Sequence, residues 1–324
     1  YLFKQVITTN FMSAQENERL LENLFQPPAR FIFEGIEYES EICAKPRVQG
    51  RGGEPITDVY LKAKPTKENV DNLILKISLK KTDWEFIKNH MKESDFVDVF
   101  FTESDTMIQN YLNRASELVR DVPVIDLGGE TRKIIKKMGD GAITLGWEMM
   151  ITNTNRGLSL GILERQFVRE AVLGEHIEDR RRHAVVNGNI KEDSGIPTHV
   201  LEMNLNEHTT REDVFQTMIT SEEFVTLHQE DLRVILKANN YRSLSNKTSS
   251  GRCDNKRYLF IQNEWSVHNS CLKRELVVDV ERAFESNVES RLSLEDTLEQ
   301  LGIDVRNVNL ENIPLCEGVP ENHQ

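Results

Sequence analysis

The stretch Thr57-Asp58-Val59-Tyr60-Leu61-Lys62-Ala63-Lys64 is followed, after a turn containing Pro65 and Asn69, by Leu73-Ile74-Leu75-Lys76-Ile77-Ser78-Leu79-Lys80-Lys81. Successive side chains on a strand point to opposite faces. Leu73, Leu75, Ile77 and Leu79 therefore share one side, with Lys76, Ser78 and Lys80 on the other. In the preceding segment Val59, Leu61 and Ala63 share a face and leave Asp58, Tyr60, Lys62 and Lys64 opposite. If the two strands pair, an acid at the start of one comes close to an amine on its neighbour. Phosphodiester hydrolysis needs such a pairing: an aspartate holds a hard divalent cation through oxygen, and an ammonium group positions the attacking water.

Working outward, Ser13 followed by Glu16 forms a capping box, and Leu20, Leu21, Leu24 and Phe25 recur at helical spacing until Pro27-Pro28. Residues 30–48 alternate Phe, Ile and Tyr with polar residues and predict strands turning at Glu34-Gly35. Helices are expected over 83–92 and 104–120, and a short buried strand over 122–127 ends at Gly128-Gly129. Beyond lie expected strands at 142–152, 198–204 and 258–265, with helices at 158–173, 209–218, 222–239 and 274–287 and a short one capped by Ser293 and Asp296. The chain thus reads as α/β (α+β), with a core over residues 1–140 and a mainly helical α/β extension over 141–324 that helps grip nucleic acid or assemble.

A Thr-Asp opening one strand, followed by a strand ending in x-x-Lys, resembles the bipartite core of the PD-(D/E)XK, or restriction-endonuclease-like, superfamily. The resemblance spans roughly residues 13–127 and implies a mixed sheet flanked by helices and a Mg2+- or Mn2+-dependent DNA endonuclease. It further implies that Asp58 is the metal ligand, that Lys80 assists the water, and that Ser78 stands where a second acidic ligand is usual. A neutral hydroxyl is a poorer magnesium ligand than a carboxylate, so another acid is expected. Glu18 and Glu22 on the first helix are the natural candidates, with Glu22 preferred; Glu41 and Glu54 are the alternatives. The alternative reading is a non-catalytic protein on the same scaffold, for instance a phage or defence-system component that binds nucleic acid or another protein.

A formal charge of −13 argues against a protein that coats polyanions, so any basic surface must be local. Arg51, Lys81, Arg242, Lys247, Arg252, Lys256 and Arg257 are the candidate contacts to a DNA backbone, double-stranded DNA being the expected partner. Further basic islands at 132–137 and 180–182 read equally well as solvated or salt-bridged faces. The apolar runs fall short of the roughly 20 residues a bilayer requires, which predicts no membrane partner. Four scattered cysteines suit a reducing cytoplasm, bacterial or phage-infected, with no disulfide. A homodimer is compatible with cutting both strands, although no sequence feature marks its interface.

Other motifs carry less. The glycine-rich stretch 50–53 lacks the Gly-Lys-Ser/Thr ending of a P-loop. His268 and Cys271 have metal-like spacing but no second close pair to complete a zinc set.

Overall fold

The computed structural model describes residues 13–50, 54–80, 82, 88, 91–126, 142–154, 157–241, 257–305, 308 and 310–319. In chain order the elements begin with α1 (Ala14–Leu24), β1 (Arg30–Phe33), β2 (Ile36–Ala44), β3 (Val59–Pro65) and β4 (Leu73–Lys80). Next come α2 (Glu93–Phe100), α3 (Asp105–Val119), β5 (Ile125–Asp126), β6 (Ala142–Thr152) and β7 (Leu158–Ile162). They are followed by α4 (Arg165–Leu173), α5 (Asp179–Arg182), β8 (Val185–Val186), β9 (Asn189–Ile190), β10 (His199–Glu202), α6 (Arg211–Thr217), β11 (Ile219–Thr220) and α7 (Ser221–His228). The last are β12 (Arg233–Tyr241), β13 (Tyr258–Leu259), β14 (Ile261–His268), β15 (Cys271–Val277), β16 (Glu285–Ser286) and α8 (Asn287–Gln300). The protein is mixed α/β. None of the described helices is long and apolar enough to cross a membrane.

Two units share the chain, and each is drawn from two stretches: residues 1–85 with 165–229, and residues 86–164 with 230–324. The sequence reading, with one boundary at residue 140, did not anticipate this interleaving.

The first unit is built on a sheet of order β1-β2-β3-β4-β10-β11. β1 to β4 form an antiparallel meander, and β10 joins β4 in parallel, with Val200 opposite Ser78 and Glu202 opposite Lys80. The capping box expected from Ser13 and Glu16 is formed: the Glu16 amide donates to Ser13 Oγ and the Ser13 amide to Glu16 Oε2, at 3.2 and 2.6 Å. This starts α1 where its apolar stripe can lie on the sheet. Leu21 and Phe25 are fully buried against Phe31, Cys43, Leu61, Leu75, Ile77 and Leu201, each such side chain contributing about 1.5–3 kcal/mol. The face predicted for Val59, Leu61 and Ala63 is thus the core face.

The second unit carries an antiparallel sheet of order β15-β14-β6-β12-β7, with β5 also on β6. Helix α8 packs on β14 and β6, and α3 on β7 and β14. Gly146 on β6 is required by this sheet, because a Cβ there would lie 2.3 Å from the Ile261 carbonyl oxygen of β14.

The extension expected to be mainly helical is therefore strand-rich. The helix expected over 222–239 stops at His228, and β12 takes its second half, because the apolar run Val234-Ile235-Leu236 is buried between β6 and β7. The helix expected over 274–287 is replaced by β15, which pairs with β14 through a tight turn at Asn269-Ser270. Both turn residues have positive φ, 48° and 60°, the conformation that matches a two-residue turn to strand twist. The expected helix over 158–173 divides into β7 and α4. At the end of the chain α8 begins earlier than expected, capped by Ser286 and not Ser293. Most of residues 83–92 lie outside the described residues, where a helix was expected; Lys88 there bridges to Ile151.

Candidate active site

The first strand of the site is fixed by its own backbone. The Asp58 amide donates to the Ile77 carbonyl at 2.9 Å, continuing the β3–β4 register in which Val59 faces Ile77 and setting Asp58 opposite Ser78. Just upstream, the amides of Ile56 and Thr57 both donate to the Gly195 carbonyl, at 3.0 and 3.1 Å. Gly195 itself packs so closely on the Arg181 carbonyl that a Cβ would approach its oxygen to 1.8 Å. The Arg181 guanidinium in turn donates to the Glu54 carbonyl at 3.0 Å. The entry to Asp58 is therefore clamped by residues well over a hundred positions downstream. Nothing in the local sequence marks Gly195 for that task.

The Asp58 carboxylate accepts the Leu79 amide at 2.7 Å and the Ser78 hydroxyl at 3.4 Å, both through Oδ2. Asp58 as a residue is partly exposed, yet its carboxyl group lies deep enough that burial is the largest influence on it. Burial pushes its pKa up, and the Glu18 carboxylate adds to the push. Lys80 is the foremost group opposing it, followed by the Leu79 amide and Lys45. The net direction is upward from the ordinary value.

Asp58, Ser78 and Lys80, the trio read from the strand alternation, are thus brought together on one face of two neighbouring strands. Of the two α1 candidates it is Glu18, not the preferred Glu22, whose charge reaches Asp58. Both lie on one side of α1, four residues apart, but the spacing displaces them by about 6 Å along the axis. Glu22 accepts from the Gln26 side chain at 3.3 Å, and its charge acts on the Cys43 thiol. That thiol is buried, and its pKa is pushed up to about 12. The alternative Glu41 is taken by Lys62 at 2.7 Å.

Sequence reasoning also passed over Lys45, which follows the end of β2. Its ammonium lies 2.6 Å from Glu18 Oε2, and its charge also reaches Glu54 and Asp58. Burial works against the charged form of Lys45, but Glu18 outweighs it and holds the group above its usual value.

The basic residues divide. Lys76, on β4, donates to the Asp193 carbonyl at 3.0 Å. Arg182 pairs with the Asp193 carboxylate at 2.6 Å and Arg180 with Glu178, so the 180–182 island is engaged in internal ion pairs. Arg257 is partly buried in the second unit, its backbone bonded to Asn287. Arg51, Lys81, Arg242, Lys247, Arg252 and Lys256 lie outside the described residues. Cys43, Cys271 and Cys316 are free thiols. Among the described residues no group of three or more His, Cys, Asp or Glu side chains converges as a metal-holding set.

No family model, no curated protein and no solved structure matches this chain.

Proposed function

We propose that the first unit is a divalent-cation-dependent nuclease of PD-(D/E)XK type that hydrolyses phosphodiester bonds in DNA. The observation that carries this reading is the convergence of Asp58, Ser78 and Lys80, from adjacent ends of β3 and β4, with Glu18 from α1. A mixed sheet with helices on it, β10 running parallel to β4, is consistent with the scaffold the resemblance implies.

The donor set fits magnesium or manganese in composition. Magnesium is commonly held by one or two carboxylates, the rest of its shell being water and substrate phosphate. Among the described residues the hydrogen bonds of Asp58 fall on Oδ2 and the ion pair of Glu18 on Oε2, which leaves Oδ1 and Oε1 as donors. When bound, such an ion polarises a phosphodiester and offsets the charge that develops on it. On the protein's side, the Leu79 amide fixes the Asp58 carboxylate, and the Lys80 ammonium orients water towards the phosphorus and steadies the incipient hydroxide.

The experiment is incubation of the purified chain with duplex DNA and Mg2+, Mn2+ or a chelator. Cleavage that needs the metal and is lost in Asp58→Asn and Lys80→Met supports the reading; undiminished cutting by either variant rejects the assignment. The second reading is a non-catalytic nucleic-acid- or protein-binding component on the same scaffold. It is favoured by Ser78, neutral at a position where a second acid is usual, and by the charge of −13. Binding of DNA without cleavage under any divalent metal supports it.

A further inference from the structure

Lys45 stands among the acids that a divalent ion would use. It is paired with Glu18 at 2.6 Å, both side chains only partly exposed, and it acts electrostatically on Asp58 and Glu54. The site holds two acids, Glu18 and Asp58, and two amines, Lys45 and Lys80, so with all four ionised their charges balance.

A divalent ion entering between Glu18 and Asp58 breaks that balance. Like charges a few ångströms apart in a partly buried site repel strongly. The ion and the Lys45 ammonium therefore compete for Glu18. Lysine is a compact charge on a flexible four-carbon stem with three donors, so it can leave the carboxylate without moving the strand that bears it. With the ion in place the site carries an excess of two positive charges, and the anion able to satisfy both the ion and the released ammonium is the phosphodiester backbone.

We propose that Lys45 is a positioning residue that holds Glu18 in the metal-free site and transfers to a substrate phosphate when a divalent ion takes Glu18, so that metal and phosphodiester bind cooperatively. This inference rests on the hydrolytic reading of the same site. It differs from a purely structural role, in which the Lys45–Glu18 pair merely fastens α1 to β2 and the metal is indifferent to it.

The test is calorimetric titration of Mn2+ into the full chain and into Lys45→Met and Lys45→Arg, with circular dichroism and thermal melting to establish folding. Removing the competing cation tightens Mn2+ binding by about three- to tenfold in Lys45→Met. The same variant binds a short duplex in the presence of Mn2+ less tightly than wild type. Arginine, whose planar fork grips a carboxylate through two parallel bonds, weakens Mn2+ binding and keeps the inference testable if Lys45→Met does not fold. Wild-type Mn2+ affinity in a folded Lys45→Met, or in Lys45→Arg, overturns the inference and leaves the nuclease reading standing. Absence of Mn2+ binding in all three proteins overturns both.

Discussion

Replacing Asp58 by asparagine should raise stability and abolish metal-dependent cleavage. The amide oxygen of asparagine can still accept the Leu79 amide, at 2.7 Å in the wild type, and the Ser78 hydroxyl. What disappears is a carboxylate whose charged form is opposed first by burial and further by Glu18. Its folded-state pKa is raised, so its contribution to stability is full below the unfolded pKa and is lost as pH rises through the folded one. In its ionised form the group is a net cost. Relief of such a cost at a functional site is worth about 1 kcal/mol, or about 2–4 °C in melting temperature for a unit of this size. Alanine differs, because it strands the Leu79 amide and should cost about 1–3 kcal/mol. Thermal and urea melts of wild type, Asp58→Asn and Asp58→Ala at pH 7 separate the three, and the advantage of asparagine over wild type should shrink as pH falls through the raised pKa. An Asp58→Asn protein that is destabilised by more than about 1 kcal/mol at pH 7 would refute the reasoning, because Lys80 and Lys45 would then be stabilising the charge beyond its desolvation cost.

Because Asp58 must be ionised to hold a cation, Mn2+ binding should fall away on acidification at a pH above the ordinary aspartate range, and Lys80→Met should move that midpoint higher still, since Lys80 is the foremost group favouring the charged form; titration calorimetry across pH reads both. Gly195→Ala should destabilise the first unit by about 1–3 kcal/mol, since its Cβ would meet the Arg181 carbonyl oxygen at 1.8 Å, and should also lower cleavage by loosening the amides of Ile56 and Thr57 ahead of Asp58; a melt and an activity assay unchanged together would contradict this. Cys43, buried with its pKa pushed up to about 12, should resist iodoacetamide at pH 8 until the chain is denatured, whereas the partly exposed Cys271 and Cys316 label in the native protein; peptide mapping by mass spectrometry distinguishes them.

The parts of the molecule that were legible in the sequence are those written in local patterns. The Ser13–Glu16 capping box, the Glu34-Gly35 turn and the alternation in β3 and β4 all concern residues a few positions apart. Distant partners decided the rest. β12 reads as helix because its apolar residues carry no mark of the two strands that enclose it, β6 and β7. For β15 the local signal is the Asn269-Ser270 turn, both of whose residues take positive φ. The resemblance offered Glu18 and Glu22 on α1 alike and could not say which one's charge reaches Asp58. Gly195 and Lys45 have no identity as site residues until the sheet brings them there.

The insertion of residues 86–164 into the first unit bears on how the protein is made. β10 closes the open flank of β4 through contacts 122 positions apart, such as Lys76 with Thr198. On a loop-closure scale that contact costs about 2 kcal/mol more to form than the β3–β4 hairpin. At about 5–20 residues per second of synthesis, β4 waits on the order of ten seconds before its partner leaves the ribosome. During that interval the acid and the amine of the site sit beside an unpaired strand edge, a template for association with another chain. Fragments that stop before β10 should therefore aggregate on expression.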